Sequence, residues 1–273
     1  MKKISIDELK SLQLEILIKV HDFCIKNNLR YFLEYGTLIG AIRHKGYIPW
    51  DEDIDIGMPR PDYDKFVRSF NGYYKELSLN APELDWNFFE SYANVYDNRT
   101  VLYEDANPHN GIEIGVKIDV FPLDGVPSDY VQYQQLREKL RKLNMLRGAK
   151  KGTLKELLRR IVFTGKGIKT LLVRCKHPFS TYIGVQKEMR QIATQYRWED
   201  SEYVDQITFQ KTPNTRLPRC VYEQFVDVPF ENHLLKAPVD YDSVLKIIFG
   251  DYMKLPPEHE RVYQHGFTAY WKD

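Results

Sequence analysis

Glu34-Tyr-Gly-Thr-Leu-Ile-Gly-Ala-Ile-Arg-His-Lys-Gly-Tyr-Ile-Pro-Trp-Asp-Glu-Asp-Ile-Asp-Ile-Gly-Met58 holds a Gly-Thr pair at 36–37 and then the alternating carboxylates Asp51, Asp53 and Asp55. Alternate side chains of a β-strand share a face. A strand over 53–58 would therefore project Asp53 and Asp55 together and turn Ile54 and Ile56 into a core. Two carboxylates on one face repel each other, and a divalent cation between them removes the repulsion and favours the ionised form. The pattern predicts a Mg²⁺ site, with Mn²⁺ as a substitute, serving phosphate chemistry. The plainer reading, solvated acids on a surface strand, sits badly with apolar neighbours that imply burial of the other face.

The chain has 273 residues, of which 28% are charged and 43% belong to the hydrophobic set. That is the composition of an ordinary soluble globular protein with room for a large core. Cys24, Cys175 and Cys220 are scattered and odd in number, so neither a zinc site nor a disulfide framework is supported. The N-terminus lacks a signal-peptide core, and no run of about 18 apolar residues occurs, so a cytoplasmic protein spanning no membrane is expected. Net charge is +1 but unevenly spread. Between Leu136 and His177 stand 14 Lys/Arg against Glu138 and Glu156 alone, while the remainder carries 25 basic and 36 acidic residues.

The hydrophobic pattern predicts a helix over 5–28 opening on the capping box Ser5-Ile-Asp-Glu8. A short strand at 31–35, a helix at 38–43 starting from Gly36-Thr37, and a helix at 62–70 follow. Two strands are expected between 86 and 103, and one at 112–121 carrying Asp119 and ended by Pro122. Helices at 129–147, 153–174 and 178–198, strands at 203–209 and 220–228, and a helix at 239–249 complete the reading.

Glycine lets a backbone approach phosphate, and helix N-terminal amides with the Thr37 hydroxyl can bind the anion. Asp53 and Asp55 would ligate a hard cation through oxygen. Asp119 would complete that site, or orient and deprotonate an attacking hydroxyl. This order resembles the nucleotidyltransferase superfamily, whose signature is Gly-Gly/Ser, a spacer, and Asp-h-Asp/Glu-h, with h apolar. The spacer here, residues 38–52, is slightly longer than usual. The wording of 35–58 looks like the hallmark of the LicD family, and Val95-Tyr-Asp-Asn-Arg-Thr100, Lys117-Ile-Asp-Val-Phe-Pro-Leu-Asp-Gly-Val126, Val228-Pro-Phe-Glu231 and Phe249-Gly-Asp-Tyr-Met-Lys-Leu-Pro-Pro257 agree with it.

The resemblance implies an α+β fold, with a polymerase-β-like mixed sheet flanked by helices and a basic helical insert. It divides the chain into a catalytic core at 1–127, the insert at 128–200 and a C-terminal part at 201–273 that completes the pocket. It also implies transfer of a phospho-alcohol group from a CDP-linked donor to a glycan or lipid-linked glycan. For CDP-choline, the acceptor oxygen attacks the phosphorus bearing choline, and CMP leaves. Ribitol-, glycerol- or sugar-phosphate transfer, true nucleotidyl transfer, and a non-catalytic nucleotide- or metal-binding module are the alternatives.

Asp51 either joins a second metal or hydrogen-bonds its loop. One of Arg43, His44 and Lys45 neutralises the donor diphosphate, or all three are solvated helix-end charges. Arg99 is placed on the donor phosphate or the acceptor. Asp251 and Tyr252 shape the pocket wall or merely stop a helix, and His265 reads as structural. A choline headgroup calls for an aromatic cage, with Tyr47, Trp86, Phe88, Phe89, Tyr92 and Tyr103 in supply. The insert alternates Leu154, Leu157, Leu158, Ile161, Val162, Ile168, Leu171 and Leu172 with Arg and Lys. This suits either an interfacial helix on anionic lipid or a solvated hairpin packed on the body. Nucleic-acid binding is disfavoured by the acidic remainder.

Overall fold

The computed structural model describes residues 1–104, 114–164, 167–209, 216–263 and 266–273, without the side chains of Glu104, Arg160 and Thr164. His265, the residues 112–113 that open the expected Asp119 strand, and the side chains of Arg160 and Lys166 lie outside the described residues.

After β1 (Lys2–Lys3), α1 runs Ile6–Lys26, capped by the Ser5 hydroxyl accepting from Glu8 N–H. Its buried stripe Leu9, Leu12, Ile16, Val20 and Phe23 faces the protein. β2 (Phe32–Leu33) leads into α2 (Tyr35–Ile39), which continues as a π-helical turn over Gly40–His44. β3 (Asp55–Pro59), α3 (Arg60–Ser69), β4 (Leu77–Asn80), β5 (Ala93–Asp97), β6 (Thr100–Glu104) and β7 (Lys117–Val126) follow. β3 starts two residues later than the alternation suggested, although the Ile54 carbonyl already accepts from Asp119 N–H. Residues 86–92 are not a strand, and β4 was not anticipated.

Pro122 does not end β7. Pairing with β5 stops at Val120, so on that side the missing N–H of Pro122 breaks no ladder bond. Beyond it β7 acquires a new neighbour, and Asp124 is gripped by Arg60 through bonds of 2.5 and 2.8 Å.

The helical stretch comprises α4 (Tyr130–Lys150), α5 (Leu154–Thr164), α6 (Ile168–Lys176) and α7 (Tyr182–Ala193). The single helix expected at 153–174 is two, separated before α6 by Gly167 at φ +109°. β8 (Tyr203–Asp205), β9 (Leu217–Pro218), a 3-10 turn at Arg219–Tyr222, the hairpin β10 (Phe225–Phe230) and β11 (His233–Pro238), α8 (Tyr241–Phe249) and β12 (Phe267–Trp271) close the chain.

The main sheet runs β2-β3-β7-β5-β4, with β8 and β9 added along the far half of β7. Its β3–β7 pair is parallel and its other pairs are antiparallel, so the fold is α+β around a mixed sheet flanked by helices. Leu33, Ile54, Ile56, Met58, Val95, Ile118 and Val120 bury one face with α1 and α3. The opposite face carries the polar residues described next. β1, β12 and β6 form a separate three-stranded sheet.

Candidate active site

Pairing in the main sheet lines up residues from four strands. Asp55 of β3 is in register with Asp119 of β7, Asp119 with Asn94 of β5, and Asn94 with Asn80 of β4. Residues opposite one another share a face, so Asp55, Asp119, Asn94 and Asn80 form one polar row. Glu34 extends it beyond β2, where its N–H donates to the Asp55 carbonyl at 3.0 Å. Asp53 and Asp119 line one small cavity at the start of β7, together with Gln13, Ile54 and Lys117.

The Thr37 hydroxyl accepts from Asp55 N–H at 2.8 Å. One of its two lone pairs thus holds the acid-bearing strand, and its O–H can still donate. Gly36 leaves room for Asp51, because a Cβ on Gly36 would collide with Asp51 Oδ2. Asp51 Oδ1 meanwhile accepts from Glu52 N–H at 3.1 Å, the loop bond foreseen as one of its two roles. Tyr35, just before, sits at φ +44°, a left-handed conformation unusual for a bulky side chain. Its phenol donates to Gln206 Oε1.

Three residues without a proposed role in the sequence analysis prove central to this geometry. Lys117 lies two positions before Asp119 on the same face, and its ammonium donates to both carboxylate oxygens at 2.9 and 3.0 Å. The expected metal carboxylate is thus ion-paired with a neighbouring cation. Gln13 donates from Nε2 to the carbonyls of Glu52 and Lys117 at 2.9 and 3.2 Å, tying together the segments that carry Asp53 and Asp119. Its signal was present as a polar residue inside the apolar stripe of α1. Asn94 is fully buried, and neither side-chain polar atom has a hydrogen-bond partner. Nothing local marks it out, because its position depends on register with a strand beyond β6.

The expected cationic contacts point elsewhere. Arg43 donates to the carbonyls of Tyr252 and Lys254 at 2.6 and 3.4 Å, strapping the Gly-Thr helix to the C-terminal turn. Lys45 is exposed, at φ +62°, and donates to the Ile42 carbonyl. Arg99 pairs with Asp97 and Glu15 and lies over Trp271, none of which lines the carboxylate cavity. Charge and position along the chain identified these three, and neither encodes the direction of a side chain. Tyr252 is buried and donates to Asp242 at 2.8 Å, so this turn also braces α8.

The aromatic supply divides in the same way. Tyr47 packs on Phe230, while Phe88 and Phe89 are buried together with Ile114. Tyr92 belongs to a cluster with Tyr35, Phe121 and Phe209. Phe121 lies two residues beyond Asp119 on the same face, with ring centroids 4.3 Å from Tyr92 and 4.8 Å from Phe209.

Among the described residues, no three His, Cys, Asp or Glu side chains gather into a ready-made cation cage. Mg²⁺ ordinarily needs only one or two carboxylates, with substrate phosphates and water completing its shell. Asp55 and Asp119 in register, Asp53 and Asp119 on one cavity, and the unpartnered amide of Asn94 suit that manner of holding a cation, which would have to displace the Lys117 ammonium or share Asp119 with it.

A family model described as LicD/FKTN/FKRP, nucleotidyltransferase domain, matches residues 28–136. The lipopolysaccharide cholinephosphotransferase LicD of Haemophilus influenzae is 30% identical over 274 aligned residues, covering 99% of each chain. An uncharacterised Rickettsia typhi protein, RT0683, is 48% identical over 62 residues, 22% of this chain and 20% of that protein. Human ribitol 5-phosphate transferase FKRP is 57% identical over 30 residues, 11% of this chain and 6% of its own length. Full-length similarity at this level, together with the domain match over the Gly-Thr and carboxylate segments, places the chain in the LicD family.

Proposed function

We propose that the protein is a Mg²⁺-dependent phosphotransferase with a nucleotidyltransferase-like core, moving phosphocholine from CDP-choline to a hydroxyl of a cell-surface glycan or teichoic-acid precursor. The observation that carries this reading is the register of Asp55 with Asp119 on adjacent parallel strands, with Asp53 and Asp119 lining one cavity. The full-length likeness to a cholinephosphotransferase supports the reaction class.

Asp53, Asp55 and Asp119 would hold the ion, which when bound neutralises charge building up on the transferred phosphoryl group. Thr37 fixes the Asp55 backbone, and Gln13 fixes the segments leading to Asp53 and Asp119. Gly36 lets Asp51 close against the Gly-Thr turn. The acceptor oxygen forms a bond to the phosphorus bearing choline as the bond to the CMP oxygen breaks. CMP leaves with that electron pair, and a site carboxylate takes the hydroxyl proton. Lys117 adds a positive charge beside the reacting phosphate. The rings of Tyr35, Tyr92, Phe121 and Phe209 pack on one another with Phe121 two residues beyond Asp119, and are the aromatic group from which a quaternary ammonium would be recognised if their packing opened to it. The FKRP segment makes ribitol phosphate, carried on a CDP-linked donor, the second transferred group to consider.

Thermal shift with Mg²⁺ and CDP-choline, CDP-ribitol, CDP-glycerol or a nucleoside triphosphate tests the reading, since a selective ligand raises the melting temperature. CDP-choline should give the largest shift. Asp53→Asn and Asp55→Asn should each abolish Mg²⁺-dependent CMP release while melting like the wild type without ligand. Wild-type turnover in both variants would sink the metal assignment, and a larger shift with another donor would transfer the substrate assignment to it.

A further inference from the structure

The basic helices α5 and α6 present a surface that the core does not cover. On α5, Leu154, Leu158 and Val162 follow at i, i+4 and i+8 and therefore share one side of the helix. All three are exposed, Val162 at 79%, while Leu157 turns inward and is buried. On α6, Ile168 and Leu172 repeat the i, i+4 spacing and are likewise exposed. Phe163 adds a ring exposed at 76%, and Phe179, just after α6, one at 96%.

Cations flank these apolar rows. Lys155, Arg159, Lys169 and Lys176 are exposed, and the Arg159 guanidinium lies 5.8 Å from the Phe163 ring centroid. Glu156 is the one acid between Leu154 and Lys176, and it accepts from Thr153 N–H at the start of α5. Arg174 instead donates to the carbonyls of Ala149, Lys151 and Gly152, fastening α6 to the end of α4. Anchoring from beneath leaves the apolar rows outward. Among the described residues no helix is long and apolar enough to cross a membrane.

We propose that α5 and α6 form a peripheral docking surface for an anionic membrane. The exposed leucine, isoleucine, valine and phenylalanine side chains enter the headgroup–acyl boundary, and Lys155, Arg159, Lys169 and Lys176 meet lipid phosphates. Charge complementarity selects this occupant. A second copy would bring like-charged segments together, and an acidic protein would use the cations without calling for exposed Val162, Phe163 and Phe179. The surface is independent of the phosphotransfer reading, and its test uses no turnover.

Co-sedimentation of the full chain with phosphatidylcholine vesicles, with and without phosphatidylglycerol, supplies that test. Wild type should bind the anionic vesicles about ten-fold or more tightly than the neutral ones, as several surface cations at about 1 kcal/mol each allow. Charge reversal in K155E/R159E/K169E/K176E and polar replacement in V162S/F163S/L172S should each cut that binding by about ten-fold or more. Both should melt like the wild type, since the replaced side chains are exposed. Absence of wild-type binding, equal binding to both vesicles, or full binding by either variant overturns the proposal. A concentration-dependent dimer lost in V162S/F163S/L172S, without vesicle binding, would instead assign the face to a second copy.

Discussion

Glu34 closes the polar row at the β2 end, where burial leaves its Oε2 with no hydrogen-bond partner. Burial pushes its carboxyl from an ordinary 4.5 up to about 8, opposed only by the hydrogen bond from Tyr35 N–H. Between these values the native protein keeps a proton that the unfolded chain releases. Glu34's contribution to stability should therefore fall as pH rises from about 4.5 to about 8, by at most about 1.4 kcal/mol per unit, and level off above. Glu34→Gln cannot ionise, so it should flatten that slope and be more stable than the parent near the alkaline end. Urea unfolding across this range measures it. A slope equal to the parent's would show that Glu34 is not the source.

The turn linking the Gly-Thr helix to β3 rests on a close backbone approach. A Cβ on Gly40 would collide with the Gly46 carbonyl, where α2 gives way to the π-helical turn. The same loop is held from outside by Glu231 at the β10–β11 tip, whose Oε1 accepts from Tyr47 N–H at 3.0 Å. Gly40→Ala must therefore shift backbone rather than a side chain, and a loss of about 1–3 kcal/mol is expected. It would be read as a lower urea midpoint at unchanged m, and an unchanged midpoint would mean that the Gly46 loop yields freely. At this scale, legibility followed local periodicity. α1, α3 and the Asp55 strand were readable because cap, stripe or alternation falls within a few residues. β4, β11 and β12 were missed because each is specified by its partners rather than by a local signal. The same division applies to the site. Asp53, Asp55 and Asp119 stand out within their own segments, whereas Lys117, Gln13 and Asn94 acquire meaning only from pairing and packing across distant parts of the chain.

Across the molecule, the helical stretch must be joined to the sheet for β7 to keep both its halves in place. Val126, at the end of β7, belongs to the core formed with α4 and α7, and Asp205 of β8 faces that core from the sheet side. Asp205 Oδ2 accepts from Tyr133 O–H at 2.8 Å and from Arg137 Nη1 at 2.9 Å, and all three residues are buried. Two charges removed from water gain little net stability from each other, but breaking such a pair leaves one of them uncompensated. Asp205→Ala should cost about 3–5 kcal/mol, because the buried Arg137 guanidinium loses its carboxylate partner and the Tyr133 hydroxyl loses the acceptor of its bond to Asp205. Replacing both partners, as Arg137→Leu with Asp205→Ala, should recover most of that loss, since no charge is then left buried. Urea unfolding of wild type, both single variants and the double variant closes the cycle. If the double variant is as unstable as the sum of the single ones, the pair is not the joint between helices and sheet, and the apolar contacts around Val126 carry it instead.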